Sequence, residues 1–195
     1  MKKIKKILIG THNRGKYREI CALLPKNLKK ISPAKYKIKP PKESGKTFKA
    51  NSILKARHFS LKSGLYSISD DSGLEVVALK NKPGIYSARW AKMLGGFNTA
   101  MKKIILLLKD KKKRDANFVC SLTLCYPSGK SISSTKKLKG TISKKIKGSK
   151  GFGYDAIFIP EKKKKTFGQM TRKSKMKSDH RYLAYKELKR KVTVF

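Results

Sequence analysis

At 195 residues, 38 % of them hydrophobic, the chain is long enough for one folded domain with a real core. No apolar run approaches the roughly 20 residues of a membrane span. Its 51 Lys and Arg against 11 Asp and Glu give a formal net charge of +40, which would hold polyanions at low salt even without a dedicated site. Lys occurs in nearly every segment and far outnumbers Arg, the residue suited to base edges and bidentate phosphate contacts. That spread fits compositional bias better than specific nucleic-acid recognition, and it makes the few acids the informative residues. Cys21, Cys120 and Cys125 form no C-x-x-C pair, which argues against a disulfide framework or a zinc site. The basic start is followed by an apolar stretch too short for a signal peptide, so the expected location is the cytoplasm.

In chain order, residues 4–10 read as a strand leading into Gly10-Thr11-His12-Asn13-Arg14-Gly15-Lys16. That heptad fits the phosphate-loop pattern G-x-x-x-x-G-K, but Tyr17 stands where a metal-binding Ser or Thr belongs. Asn13 can cap a helix carrying Tyr17, Ile20, Leu23 and Leu24 on one face, a turn that points backbone N–H groups at an anion. Residues 32–46, with three Pro, read as irregular. A second helix is predicted over 47–62, with Ala50, Ile53, Leu54 and Leu61 inward. A strand over 65–69 then meets Asp70-Asp71-Ser72-Gly73, read as a turn, and strand character resumes over 74–79. Asn98 can cap a third helix bearing Met101, Ile104, Ile105 and Leu108. Residues 117–126 and 131–138 read as an antiparallel hairpin, 156–159 as a short strand, and the last helix starts near His180 with Ala184, Leu188 and Val192 spaced by four. The runs 111–114 and 162–165 read as solvated loops. Strands interleaved with helices, plus one hairpin, indicate an α/β fold with a mixed sheet.

Four segments can carry chemistry. The opening loop is one. Adjacent Asp70 and Asp71 repel each other unless a cation or proton intervenes, and hard cations such as Mg²⁺ favour carboxylates combined with substrate phosphates. Gly151-Phe152-Gly153-Tyr154-Asp155 offers an aromatic to stack on a base and an acid to read its edge. Lys175 with His180 and Arg181 suits anionic or carbonyl oxygens.

Taken together and in this order, the sequence resembles the inosine/xanthosine triphosphate pyrophosphatases. The stretches that carry the resemblance run from Thr11-His12-Asn13-Arg14-Gly15-Lys16 through Thr47-Phe48, Asn51 and Leu54-Lys55-Ala56-Arg57 to Asp70-Asp71-Ser72-Gly73-Leu74-Glu75-Val76. Pro83-Gly84-Ile85-Tyr86-Ser87-Ala88-Arg89-Trp90, Gly151-Phe152-Gly153-Tyr154-Asp155-Ala156-Ile157-Phe158, Thr166-Phe167 and His180-Arg181 follow. On this resemblance the phosphate-loop match is incidental, and the loop is the family's own triphosphate grip.

The resemblance implies an elongated mixed α/β fold with two lobes and the active cleft between them, forming a single pyrophosphatase domain over 1–195 that is usually a homodimer. It implies that Thr11, His12, Asn13, Arg14, Gly15 and Lys16 hold the phosphates, and that Asp71 is general base and metal-linked carboxylate. On the same resemblance Asp70, close by, joins Glu43 and Asp71 in binding Mg²⁺, and Ser72 touches substrate. Phe152, Gly153, Tyr154 and Asp155 frame the base, and Lys175, His180 and Arg181 contact base and nucleotide. The implied reaction turns ITP, dITP or XTP plus water into the monophosphate and pyrophosphate, with no specific nucleic acid and no membrane as partner. Three positions depart from the family pattern: His12 for Gly, Ala50 for Glu, and Asp179 for Ser. The alternatives are a phosphate-loop NTPase and a basic nucleic-acid-binding protein.

Overall fold

The computed structural model describes residues 4–194. Strands β1 (Lys6–Ile9), β2 (Lys29–Ile31), β3 (Ser67–Val76), β4 (Lys82–Pro83), β5 (Asp115–Cys125), β6 (Ser131–Ile142) and β7 (Phe158–Pro160) form one mixed sheet. Its order is β2-β1-β3-β5-β6-β7, with β4 beside β3. β1 runs parallel to β2 and β3, whereas β4 on β3 and β7 on β6 are antiparallel. The helices are α1 (Arg14–Leu23), α2 (Phe48–Ser63), α3 (Ser87–Met93), α4 (Phe97–Leu107), α5 (Arg172–Lys175) and α6 (His180–Lys191). This is the α/β fold with a mixed sheet that the sequence predicts.

The chain divides into two compact units. The first comprises the chain up to Asp71, Cys120–Lys136, and the chain from Arg181 onward. Its core gathers Ile7 and Ile9 of β1, Ile68 of β3, Leu122 and Leu124 of β5, Ile20 of α1, and Ala184 and Leu188 of α6. The predicted spacing of Ala184, Leu188 and Val192 holds, since all three are buried. Asn13 caps α1 as expected, its side chain accepting from the Lys16 N–H at 3.0 Å.

The second unit comprises Ser72–Val119 and Lys137–His180. Leu74, Ile104, Leu108, Phe118, Phe158 and Phe167 belong to its core, with the Phe118 and Phe158 rings 4.5 Å apart. Cys120 and Cys125 are buried and Cys21 is half-buried, none of them in a disulfide.

Four expectations need correction. Asp70-Asp71-Ser72-Gly73 is not a turn but the middle of continuous strand β3. Turn chemistry loses there because both carboxylates find cations. The inward face of α2 is also different: Leu61 is 67 % exposed and Ala50 is exposed, while Asn51, Ser52, Lys55, Ala56 and Phe59 are buried. Apolar periodicity misreads this helix because its buried stripe is largely polar and hydrogen-bonded. Ser52 Oγ, for example, lies 3.0 Å from Ser121 Oγ and 2.7 Å from Thr123 Oγ1. Asn98 does not cap α4, which starts at Phe97 behind Gly96 with no side-chain cap. Arg114 is not simply solvated either; its guanidinium donates to the carbonyls of Leu108, Ile142 and Ser143.

A buried ion network fixes the first unit. Arg181, 1 % exposed at the start of α6, donates through Nη2 to Asp70 Oδ2 at 2.9 Å and through Nη1 to Glu19 of α1. Burial alone would raise the Asp70 carboxyl, but Lys16 and Arg181 overcome it and hold the group well below the usual carboxylate range. Removing one partner of such a network leaves an uncompensated buried charge, so Arg181→Met should cost about 3–5 kcal/mol in urea unfolding. Because the folded carboxyl is depressed, its stabilisation is present above the unfolded value of about 3.9 and is lost as pH falls through the folded value. Asp70→Asn should therefore flatten the acid side of the stability profile. An unchanged urea midpoint for Arg181→Met would show that the network does not hold the unit.

Candidate active site

In the first unit, β1 delivers the chain to Gly10 beside β3. A Cβ on Gly10 would lie 2.0 Å from Ser69 Oγ and 2.6 Å from the Phe59 ring, so no side chain fits. The Gly10 N–H donates to the Ile68 carbonyl at 2.8 Å, which locks the loop to β3. Thr11 Oγ1 then accepts from the Asn13 N–H at 3.2 Å, and α1 begins. His12, Asn13 and Arg14 are exposed, while Thr11, Gly15 and Lys16 are half-buried. The His12 ring lies 5.9 Å from that of Phe59. Tyr17 in the first turn of α1 stands where a phosphate loop places the Ser or Thr that holds its metal, so the phosphate-loop reading is not favoured.

Strand alternation sends Asp70 and Asp71 to opposite faces of β3. Asp70 meets Arg181 and, at 3.3 Å, the Lys16 ammonium. Asp71, 5 % exposed, meets α2: Lys55 Nζ donates to Oδ1 at 2.9 Å, and Asn51 Nδ2 to Oδ2 at 3.3 Å. The same Lys55 ammonium donates to Glu43 Oε1 at 2.6 Å. Burial raises the Asp71 carboxyl, Lys55 and Lys16 pull it down, and Glu43 pushes it up; the net shift is upward, towards a better proton acceptor. Lys55 is burdened by its own desolvation, but Asp71, Asp70 and Glu43 more than offset this and raise it.

Glu43 and Asp71 thus aim carboxylate oxygens at one cationic point. This donor set fits a hard ion such as Mg²⁺, which takes one or two carboxylates and completes its shell with water and substrate phosphates. Among the described residues no group of three or more His, Cys, Asp or Glu forms a protein-only metal cage. Ala50, exposed in the first turn of α2, adds no third carboxylate.

In the second unit, Gly151 has φ +80°, and a Cβ there would meet Asp155 Oδ2 at 2.1 Å. The glycine lets Asp155 fold back under the loop, where Oδ2 accepts from the Phe152 N–H at 2.9 Å and from Lys175 Nζ at 2.6 Å. Lys175, 3 % exposed, also lies 4.9 Å from the Phe152 ring centroid and 5.3 Å from that of Phe167. Tyr154 is buried, its hydroxyl donating to the Ser87 carbonyl at 2.9 Å and its ring edge-on to Phe97. Burial pushes its phenol above the ordinary value. Phe152 and Gly153 are half-buried, as is Ser72. His180 is buried and stacks on Phe118 at 4.7 Å, and its neighbour Asp179 is buried as well.

Each predicted residue is therefore placed within its own unit: the loop, Glu43, Asp70, Asp71 and Arg181 in the first, and Ser72, the 152–155 loop, Lys175 and His180 in the second. Sequence reasoning gave no role to Lys55, Asn51 or Glu19. Asn51 and Lys55, four residues apart and so on one helix face, were the available signal. For Glu19 it was an acid on α1 in a chain so short of acids.

The Ham1 family profile matches residues 7–191. A dITP/XTP pyrophosphatase of Caulobacter vibrioides is 40 % identical over 186 residues, covering 94 % of this chain and 96 % of that one. One of Rhodospirillum centenum is also 40 % identical, over 93 % of this chain and 92 % of its own. The solved Ham1 protein of Staphylococcus aureus superposes with a TM-score of 0.84 at 32 % identity, over 95 % of this chain and 97 % of that chain. With sequence and fold agreeing along nearly its whole length, the chain belongs to the Ham1 family.

Proposed function

We propose that this protein hydrolyses non-standard purine nucleoside triphosphates, namely ITP, dITP and XTP, to the monophosphate and pyrophosphate, and so cleans the nucleotide pool. The observation that carries this reading is the pairing of Asp71 and Glu43 across Lys55, with Lys16 and the capped loop in the same unit. The dITP/XTP pyrophosphatases of similar sequence support the substrate class.

In this reading Thr11, His12, Asn13, Arg14, Gly15 and Lys16 hold the phosphates, with the N-terminus of α1 contributing N–H groups. Asp71 accepts the proton of the attacking water, and Asn51 and Lys55 orient its carboxylate. Glu43 and Asp71 would hold Mg²⁺, with Asp70 beside them as electrostatic support, and a metal held there would supply charge neutralisation to the triphosphate and to the departing pyrophosphate. Lys175, braced by Asp155, serves as a donor to the purine 6-carbonyl, with His180 and the loop amides as further donors. Phe152 supplies the stacking ring, and Ser72, Gly153, Tyr154 and Arg181 complete the nucleotide contacts directly or by bracing.

The two units act as one catalytic domain, as a homodimer in the cytoplasm. Among the described residues no helix is long and apolar enough to cross a membrane. Tyr86, 55 % exposed, and Met93, 73 % exposed, support self-association through the second unit.

Asp71→Asn should keep the fold and lose about 10²–10⁴-fold in kcat, because an amide cannot take the proton. Near-wild-type turnover by the folded variant would refute the assignment. Asp70→Asn should lose less.

Base choice gives a second check. Adenine presents an amino group where hypoxanthine and xanthine present a carbonyl, leaving buried donors unpaired at about 1–3 kcal/mol each. Initial rates should be high for ITP, dITP and XTP, lower for GTP and lowest for ATP. Equal rates for ATP and ITP would contradict the proposal.

A further inference from the structure

The second unit carries a concave surface that the reaction does not use. A cavity of about 690 Å³ is bounded by the end of α4, the segment that follows it and the chain after β6. Seven of its ten lining residues are Lys or Arg, the other three are aliphatic, and none is acidic. The larger cavity beside Tyr86 has three basic residues among thirteen, and the hollow beside Lys163 has four among seven, so this cavity is the most basic of the three.

The walls are fixed by Arg114. Its Nη1 donates to the Leu108 carbonyl at 2.6 Å, Nε to Ile142 at 2.8 Å and Nη2 to Ser143 at 3.1 Å. One guanidinium thus ties the end of α4 to the end of β6, leaving the lysines to line a preformed hollow. Attraction to the C-terminal end of the α4 dipole accounts for Lys109. It does not account for Lys144 and Lys145, which come from a separate segment and remain exposed.

The lining also selects the ligand. Lysine ammoniums are hydrated point charges that suit phosphates better than base edges. No aromatic lines the cavity, so it offers no platform for the bases of a single strand. With no side-chain acceptor, the lining can meet a ribose 2′-hydroxyl only by donating, as it does a phosphate oxygen, and so reads nothing particular to RNA. The hollow is concave, and Leu106, 62 % exposed, is the single strongly exposed aliphatic in its lining, a poor match to a flat bilayer. We infer that this cavity is a sequence-independent docking site for the phosphodiester backbone of double-stranded DNA. The inference stands apart from the proposed hydrolysis.

The test compares two quadruple variants of the full chain. One neutralises the cavity (Lys102→Gln, Lys109→Gln, Lys112→Gln and Lys144→Gln). The other neutralises another exposed basic surface of the same unit (Lys163→Gln, Lys164→Gln, Lys165→Gln and Lys177→Gln). Circular dichroism and ITP turnover report whether each variant is folded. Binding to a labelled random-sequence DNA duplex is followed by fluorescence anisotropy across a KCl series.

The cavity variant should bind at least about tenfold more weakly near 0.1 M salt, with the slope of log K against log salt shallower by about 3. The control should lose much less. Equal losses in both variants would mean diffuse attraction and overturn the inference. So would no loss in either, or a cavity variant that loses binding to phosphatidylserine vesicles and keeps binding to DNA.

Discussion

Two adjacent carboxylates in one strand form the constraint from which the rest of the site follows. Asp70 and Asp71 sit side by side in β3, where alternation sends them to opposite faces and gives each its own cations. Asp70 is neutralised by Arg181 and Lys16, which joins β3 to α6 and α1. Asp71 is met by Lys55 and Asn51 of α2. One carboxylate thereby holds the unit together, while its neighbour keeps a raised pKa suited to proton transfer.

This division explains why α2 is polar where it is buried. A helix placed only by apolar packing can present Leu or Ile to the sheet. This one must present Asn51 and Lys55 to Asp71, and Ser52 lies against hydroxyls of β5. The same economy recurs in the second unit, where buried Asp155 holds Lys175 and the Phe152 backbone at once. In both places a buried acid sets a lysine in position, and a glycine without room for a side chain lets the backbone close in.

The fold and the site were legible to different degrees. The helix at 180, the Asn13 cap and the 117–138 hairpin follow from local patterns, and the structure agrees. The strand through Asp70-Asp71-Ser72-Gly73 was hidden because turn propensity is local, whereas the cations that keep the chain extended come from α1, α2 and α6. The α2 stripe was hidden for a related reason: hydrophobic periodicity does not register a buried face made of hydrogen bonds. Of the residues named by resemblance, Lys16, Glu43, Asp70, Asp71 and Arg181 take part in ion pairs of the first unit and Asp155 and Lys175 in one of the second, whereas Lys55 and Glu19 gained roles only from their contacts.

In the proposed reaction water attacks the α-phosphorus, so that pyrophosphate leaves as one piece. Hydrolysis of ITP with Mg²⁺ in ¹⁸O-labelled water, followed by phosphorus NMR, reads the point of attack. The expected result is unlabelled pyrophosphate as the first product, with the heavy oxygen in the monophosphate. Orthophosphate as the first product, or label in pyrophosphate, would contradict it.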